Sequence, residues 1–151
     1  EGTIVENIAF GVSEDLIDHK KIEKVLKLSN LYEFVSKLEK GVHSKVGERG
    51  VQLSGGQRQR IGIARTLYYD ADVLIFDEAT SALDGITEKV IMDSIQDFTG
   101  KKTLILIAHR LKTIKKCDEI FMMENGKIVD HGDYEYLLSN NKQFKKMSDN
   151  A

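Results

Sequence analysis

The hydrophobic period changes partway along the chain, and that change limits the fold more than any other feature. After Tyr69, "DVLIF" (72–76) is a continuous apolar run of β-branched and aromatic residues. Such a run reads as a strand buried on both faces. "TLILIAH" (103–109) and "EIFMME" (119–124) repeat the pattern. Between the first two, residues 87–98 set Val90, Ile91, Ser94, Ile95 and Phe98 on one helical face. Strand, helix, strand in this rhythm predicts an α/β fold with a parallel sheet flanked by helices. "ENGKIVDHG" then predicts a hairpin turning at Asn125–Gly126, and two short helices follow near 134–138 and 142–147.

Upstream the period is helical. Ile22, Val25, Leu26 and Leu28, then Leu31, Phe34, Val35 and Leu38, predict two or three short amphipathic helices, with Ser13 and Ser29 or Asn30 as caps. "KGVHSKVGERG" reads as a loop. From Gln57 to Tyr69 the residues Ile61, Ala64, Leu67 and Tyr68 share one helical face. Proline is absent, so turns rest on Gly, Asn, Asp and Ser.

Bulk composition narrows the function classes. A chain of 151 residues, 41% hydrophobic and 30% charged, can bury a real core. A formal charge of −2 argues against nucleic acid as the main partner. No apolar run approaches the length of a membrane span, about eighteen residues. The single cysteine, Cys117, forms no internal disulfide and reads as a buried free thiol in a reducing compartment. The opening "EGTIVENIAFG", without an initiator methionine, reads as a piece of a longer chain.

Chemistry concentrates in residues 47–84. In "LSGGQRQR", Ser54 stands at an N-cap position before a helix that starts near Gly56 and Gln57. Gly55 and Gly56 leave their backbone N–H groups uncovered, and a helix start with unpaired donors suits an anion such as a phosphate. A capped helix with a glycine turn is the plain alternative. Glycine inside a first turn costs stability that capping alone does not require, which favours the anion. In "VLIFDEAT", Asp77 and Glu78 end an apolar strand, at the sheet edge where open α/β folds bind ligands. Asp77 could hold Mg²⁺ through water and Glu78 could serve a nucleophilic water as general base. His109 ends a second strand at the same edge, placed to contact a terminal phosphate. The other histidines lie in polar contexts, and no Cys/His cluster has metal-ligand spacing.

Together these segments resemble the ATP-binding cassette family. "LSGGQ" (53–57) resembles its signature motif, "VLIFDE" (73–78) its Walker B strand, "SALD" (81–84) its D-loop and His109 its switch histidine. "EGTIVENIAFG" resembles the segment after the family's Q-loop, and "KVGERG" the coupling loop of its exporter branch. The resemblance implies a partial P-loop NTPase (RecA-like) core, with residues 1–69 as a helical signature subdomain and residues 70–151 as the C-terminal part of the catalytic core. It implies an ATPase, with ATP and Mg²⁺ as ligands, driving export across a membrane. Two such cassettes close head to tail, so that Ser54, Gly55, Gly56 and Gln57 bind ATP held by the other. Asp77 would assist the metal, Glu78 polarise water, His109 steady the phosphate and Asp84 communicate across the interface. The implied partners are a second cassette and the transporter's transmembrane domains, at the cytoplasmic face of the cell membrane, with no nucleic acid.

A phosphate-binding loop requires G-x-x-x-x-G-K-[ST]. Gly100–Lys101 and Gly126–Lys127 are the Gly-Lys pairs, but Ile95 and Phe121 stand where the first glycine is needed. Neither lysine precedes Ser or Thr. The 151 residues alone are therefore expected to be inactive. Removal of the central strand that leads into that loop should either let 119–124 pair directly with 103–108 or admit a strand from another chain. A cassette ATPase of DNA repair or chromosome structure, and a non-hydrolysing interaction module, are the alternative functions.

Overall fold

The computed structural model describes residues 2–47, 52–96, 100–107 and 111–149. It falls into two compact units, residues 1–105 and 106–151.

The first unit opens with α1 (Ile4–Ile8), whose cap Thr3 forms a reciprocal box with Glu6. Next come α2 (His19–Leu28) and α3 (Tyr32–Ser36). Ile22, Val25, Leu26, Leu31 and Val35 are buried, as their spacing predicted. The caps differ from expectation. Asp18 caps α2 by accepting from the Lys21 N–H at 3.1 Å. Ser29 is instead the buried C-cap of that helix. Asn30 follows in a left-handed conformation (φ 54°), which asparagine tolerates just past a helix end. Ser13 precedes a 3₁₀ turn (Glu14–Leu16) and makes no side-chain cap bond.

The long helix α4 (Gly55–Tyr68) buries Ile61, Ile63, Ala64, Leu67 and Tyr68, and packs against α1 and α2. Arg65 fixes its register against α1, donating from Nε to the Asn7 carbonyl at 2.6 Å.

Strand β1 (Val73–Asp77) and β2 (Thr103–Ile107) form a two-stranded sheet. The Thr103 N–H donates to the Asp72 carbonyl at 2.8 Å, start beside start, so the pair runs parallel. Helix α5 (Gly85–Gln96) is the crossover and buries Ile91, Met92 and Ile95, whereas Val90 is exposed. The predicted Phe98 lies outside the described residues. Two-sided burial of β1 does not hold. Leu74 and Phe76 are buried, but Val73 and Ile75 are 51% and 60% exposed. The Asp72–Thr103 bond pairs Ile75 with Ile105, itself 45% exposed, so one apolar sheet face is bare. Among the described residues of this unit no element covers that face.

In the second unit, α6 (Leu111–Ile114) is followed by β3 (Ile120–Glu124) and β4 (Lys127–Gly132), an antiparallel hairpin with an irregularity between Met122 and Met123. Its two-residue turn sits at Asn125 (φ 49°) and Gly126 (φ 74°), as predicted, and positive φ at both is what a type I′ turn requires. Among the described residues of this unit β3 pairs with β4 in a two-stranded sheet. Helices α7 (Tyr134–Asn140) and α8 (Lys142–Asp149) close the unit over a core of Leu111, Ile120, Leu137 and Phe144. Cys117 packs half-buried at its edge, and burial raises its thiol pKa.

Candidate phosphate and water-activating site

At the start of α4 the predicted cap is present and reciprocal. Ser54 Oγ accepts from the Gln57 N–H at 3.1 Å, and Gln57 Oε1 accepts from the Ser54 N–H at 2.8 Å. The first helical turn gives the N–H groups of Gly55 and Gly56 no intrahelical acceptor. With its oxygen used as an acceptor, the Ser54 hydroxyl retains a proton to donate, and Gln57 retains Nε2. Ser54, Gly55, Gly56 and Gln57 thus bring several hydrogen-bond donors to the positive end of a fourteen-residue helix. That donor set fits a phosphate.

The two glycines have different reasons. A Cβ on Gly56 would lie 3.2 Å from the Ala82 carbonyl oxygen and 3.3 Å from Leu83 Cδ2, a tight fit that already favours glycine there on packing grounds. A Cβ on Gly55 would meet only ordinary contacts, 3.7 Å from Ala82 Cβ. The inference from first-turn glycine to an anion therefore rests on Gly55.

Strand β1 delivers Asp77 as its last residue, and Glu78 follows immediately with φ 46°. A left-handed glutamate is uncommon and costs of order 1 kcal/mol or more. It turns the chain sharply, so Asp77 and Glu78 leave the strand in different directions, both exposed. The turn beyond is braced throughout. Ser81 N–H donates to the Glu78 carbonyl and Leu83 N–H to the Thr80 carbonyl, both at 3.0 Å. Thr80 Oγ1 donates to Glu88 Oε1 at 3.1 Å. Asp84 caps α5, accepting at Oδ1 from the N–H groups of Ile86 (3.1 Å) and Thr87 (3.0 Å) and at Oδ2 from Thr87 Oγ1 (2.8 Å). The Thr87 N–H, then its hydroxyl, holds the Asp84 pKa below the usual carboxylate range.

The structure brings the start of α4 against this turn. Besides the Gly56–Ala82 contact, Gln59 bonds to Ser81, Ala82 and the Glu78 carbonyl. Sequence reasoning missed Gln59, because one glutamine in "QRQR" is indistinguishable from any solvated helical residue. It also missed Arg60, half-buried, which donates to the Asn30 carbonyl at 2.5 Å and the Gly56 carbonyl at 3.3 Å. Burial lowers the Arg60 pKa, partly opposed by the Asp84 charge. His109 and the end of "KVGERG" (48–50) lie outside the described residues. No cluster of three or more acidic, His or Cys ligands occurs among the described residues. Asp77 is a single hard oxygen donor, which suits Mg²⁺ only when substrate phosphates supply further oxygens.

The chain is 48% identical over 138 residues to the ATP-dependent lipid A-core flippase of Francisella novicida, covering 91% of this chain and 23% of that protein. It is likewise 48% identical over 136 residues to the heterocyst differentiation ATP-binding protein HepA of Nostoc sp., covering 90% of this chain and 22% of that one. The chain thus spans about a quarter of the length of the curated relatives it matches. Among solved structures, a bacterial Atm1-family ABC exporter with ATP bound superposes with a TM-score of 0.92 at 36% identity, over 99% of this chain and 26% of that one. The fold is that of an ABC exporter nucleotide-binding domain. With residues 2–81, more than half of its length, also matching the family profile "ABC transporter", the chain belongs to the ABC transporter family.

Proposed function

We propose that this chain supplies the signature and water-activating parts of an ATP-hydrolysing cassette that powers an exporter. Residues 1–69 act as the signature-bearing subdomain and residues 70–151 as the C-terminal part of the catalytic core. One observation carries the proposal: a donor-rich helix start and the turn that follows a strand-end carboxylate pair are braced against each other in one piece of structure. Ser54, Gly55, Gly56 and Gln57 bind the terminal phosphate of ATP held by a second cassette, docked head to tail. Glu78 accepts a proton from the attacking water beside the ATP of its own cassette. Asp77 would help to hold Mg²⁺ there, which would supply positive charge against the phosphates. His109 steadies the terminal phosphate. Asp84, already fixed as the cap of α5, presents its turn to the opposing cassette.

Coupled to transmembrane domains, closure of two cassettes at the cytoplasmic face of the inner membrane switches the transport path. Without G-x-x-x-x-G-K-[ST], these 151 residues do not hydrolyse ATP by themselves. The test is Glu78→Gln in a cassette completed with a phosphate-binding loop. ATP binding is expected to persist while turnover nearly vanishes, because the amide cannot accept the proton. Turnover close to that of the unaltered cassette would remove Glu78 from the role of general base.

A further inference from the structure

Gln59 uses both ends of its carboxamide. Nε2 donates to Ser81 Oγ at 2.9 Å and to the Glu78 carbonyl at 3.3 Å, and Oε1 accepts from the Ala82 N–H at 2.9 Å. An amide is needed for this set, since Glu lacks the donor and Lys or Arg lacks the acceptor. The bonds described above for Thr80, Ser81, Leu83 and Asp84 stay within residues 78–88, whereas those of Gln59 cross 19 to 23 residues of sequence to reach α4. Beside them Gly56 lies against the Ala82 carbonyl and Leu83. A polar clasp and a steric stop therefore join the phosphate-facing helix start to the residues that follow the general base.

We propose that Gln59 is a positioning residue that makes the start of α4 and the turn bearing Glu78 move as one body. Resting on the function proposed above, this has a specific consequence. Ser54–Gln57 and Glu78 of one chain act on different ATP molecules, one held by the partner cassette and one by its own. Gln59 then joins the two composite sites through a single chain, so that phosphate contact at one sets the carboxylate at the other.

Two measurements test this. The first uses the 151-residue chain and needs no nucleotide: amide hydrogen exchange by NMR in Gln59→Met, which keeps the side-chain length and removes all three bonds. The Ala82 amide is expected to exchange about five- to tenfold faster, the effect of one lost hydrogen bond, with Ile63 and Ala64 unchanged. Gln59→Glu keeps the acceptor for Ala82, and the Ser81 hydroxyl can turn to donate to it, but a carboxylate oxygen then faces the Glu78 carbonyl, so protection should return only in part. Ser81→Ala, outside α4, should give a smaller change of the same sign. Unchanged Ala82 exchange in Gln59→Met, or acceleration shared equally by Ile63 and Ala64, overturns the clasp. The second measures ATP turnover in a paired cassette completed with a phosphate-binding loop. Gln59→Met is expected to keep nucleotide binding but bring the Hill coefficient towards one. Unaltered cooperativity overturns the coupling even if the clasp stands. An unmutated pair that turns over no ATP overturns the proposed function, and the coupling with it, while the Ala82 result still decides the clasp.

Discussion

Two glycines in α4 allow the crowding at the site to be separated from ordinary helix energetics. Gly→Ala in a helix gains up to about 1 kcal/mol, because alanine loses less backbone freedom on folding. At Gly62 a new Cβ meets nothing within 4 Å, so Gly62→Ala should stabilise by roughly that amount. At Gly56 the same methyl would lie 3.2 Å from the Ala82 oxygen and 3.3 Å from Leu83 Cδ2. The oxygen belongs to a backbone whose N–H is already held by Gln59, so it gives way poorly. Overpacking of this kind costs about 1–3 kcal/mol, which cancels or exceeds the helix gain. The two variants should therefore differ by about 1–3 kcal/mol in urea unfolding, or several degrees in Tm, since about 1 kcal/mol moves Tm by roughly 2–4 °C at this size. Gly55→Ala, with its nearest contacts at 3.7 and 3.9 Å, should fall on the Gly62 side. Equal stabilisation by Gly56→Ala and Gly62→Ala would refute the close approach of α4 to the 82–83 turn.

Asp84 has a depressed pKa, so its contribution to stability is fully present above the unfolded carboxylate value, about 4, and disappears as pH falls through the lower folded value. Asp84→Asn, which can still cap α5, should flatten the acid limb of a urea-midpoint titration below about pH 4; an unchanged limb would refute the assignment. The 151-residue chain should bind ATP no tighter than millimolar, about −4 kcal/mol, because the start of α4 meets only one end of the triphosphate. Micromolar binding by calorimetry would contradict this. The bare face of Val73, Ile75 and Ile105 should drive self-association, and Val73→Lys with Ile105→Lys should reduce it in light scattering. Equal scattering with and without the lysines would rule that face out.

What the sequence conveyed depended on how local each cause was. Helix α4, β1, α5 and the Asn125–Gly126 turn are written in short-range periodicity and turn chemistry, and they stand close to where those signals put them. Ser29 misled because a small polar residue serves either end of a helix: it closes α2, and α3 starts after Leu31 with no side-chain cap. Val73 and Ile75 misled in another way. An apolar run records what a strand is built to meet, and here one face meets nothing among the described residues of its unit. Ser54 was legible as a cap because the bond it accepts spans three residues. Gln59 was not, because its partners lie 19 to 23 residues away.

The hairpin β3–β4, with α7 and α8 folded onto it, has a kinetic consequence. Its strands are joined by two residues whose backbone already favours the reversal, and its core draws on residues close along the chain. Contacts this local close without a large loop-entropy barrier, and hairpins of this kind form in about 1–10 μs. A core built around Leu111, Ile120, Leu137 and Phe144 is also small, and a unit of this size sits near the lower limit for holding itself together. Residues 106–151 should thus assemble early and reopen often, with amides in β3 exchanging through brief local openings rather than through unfolding of the whole chain.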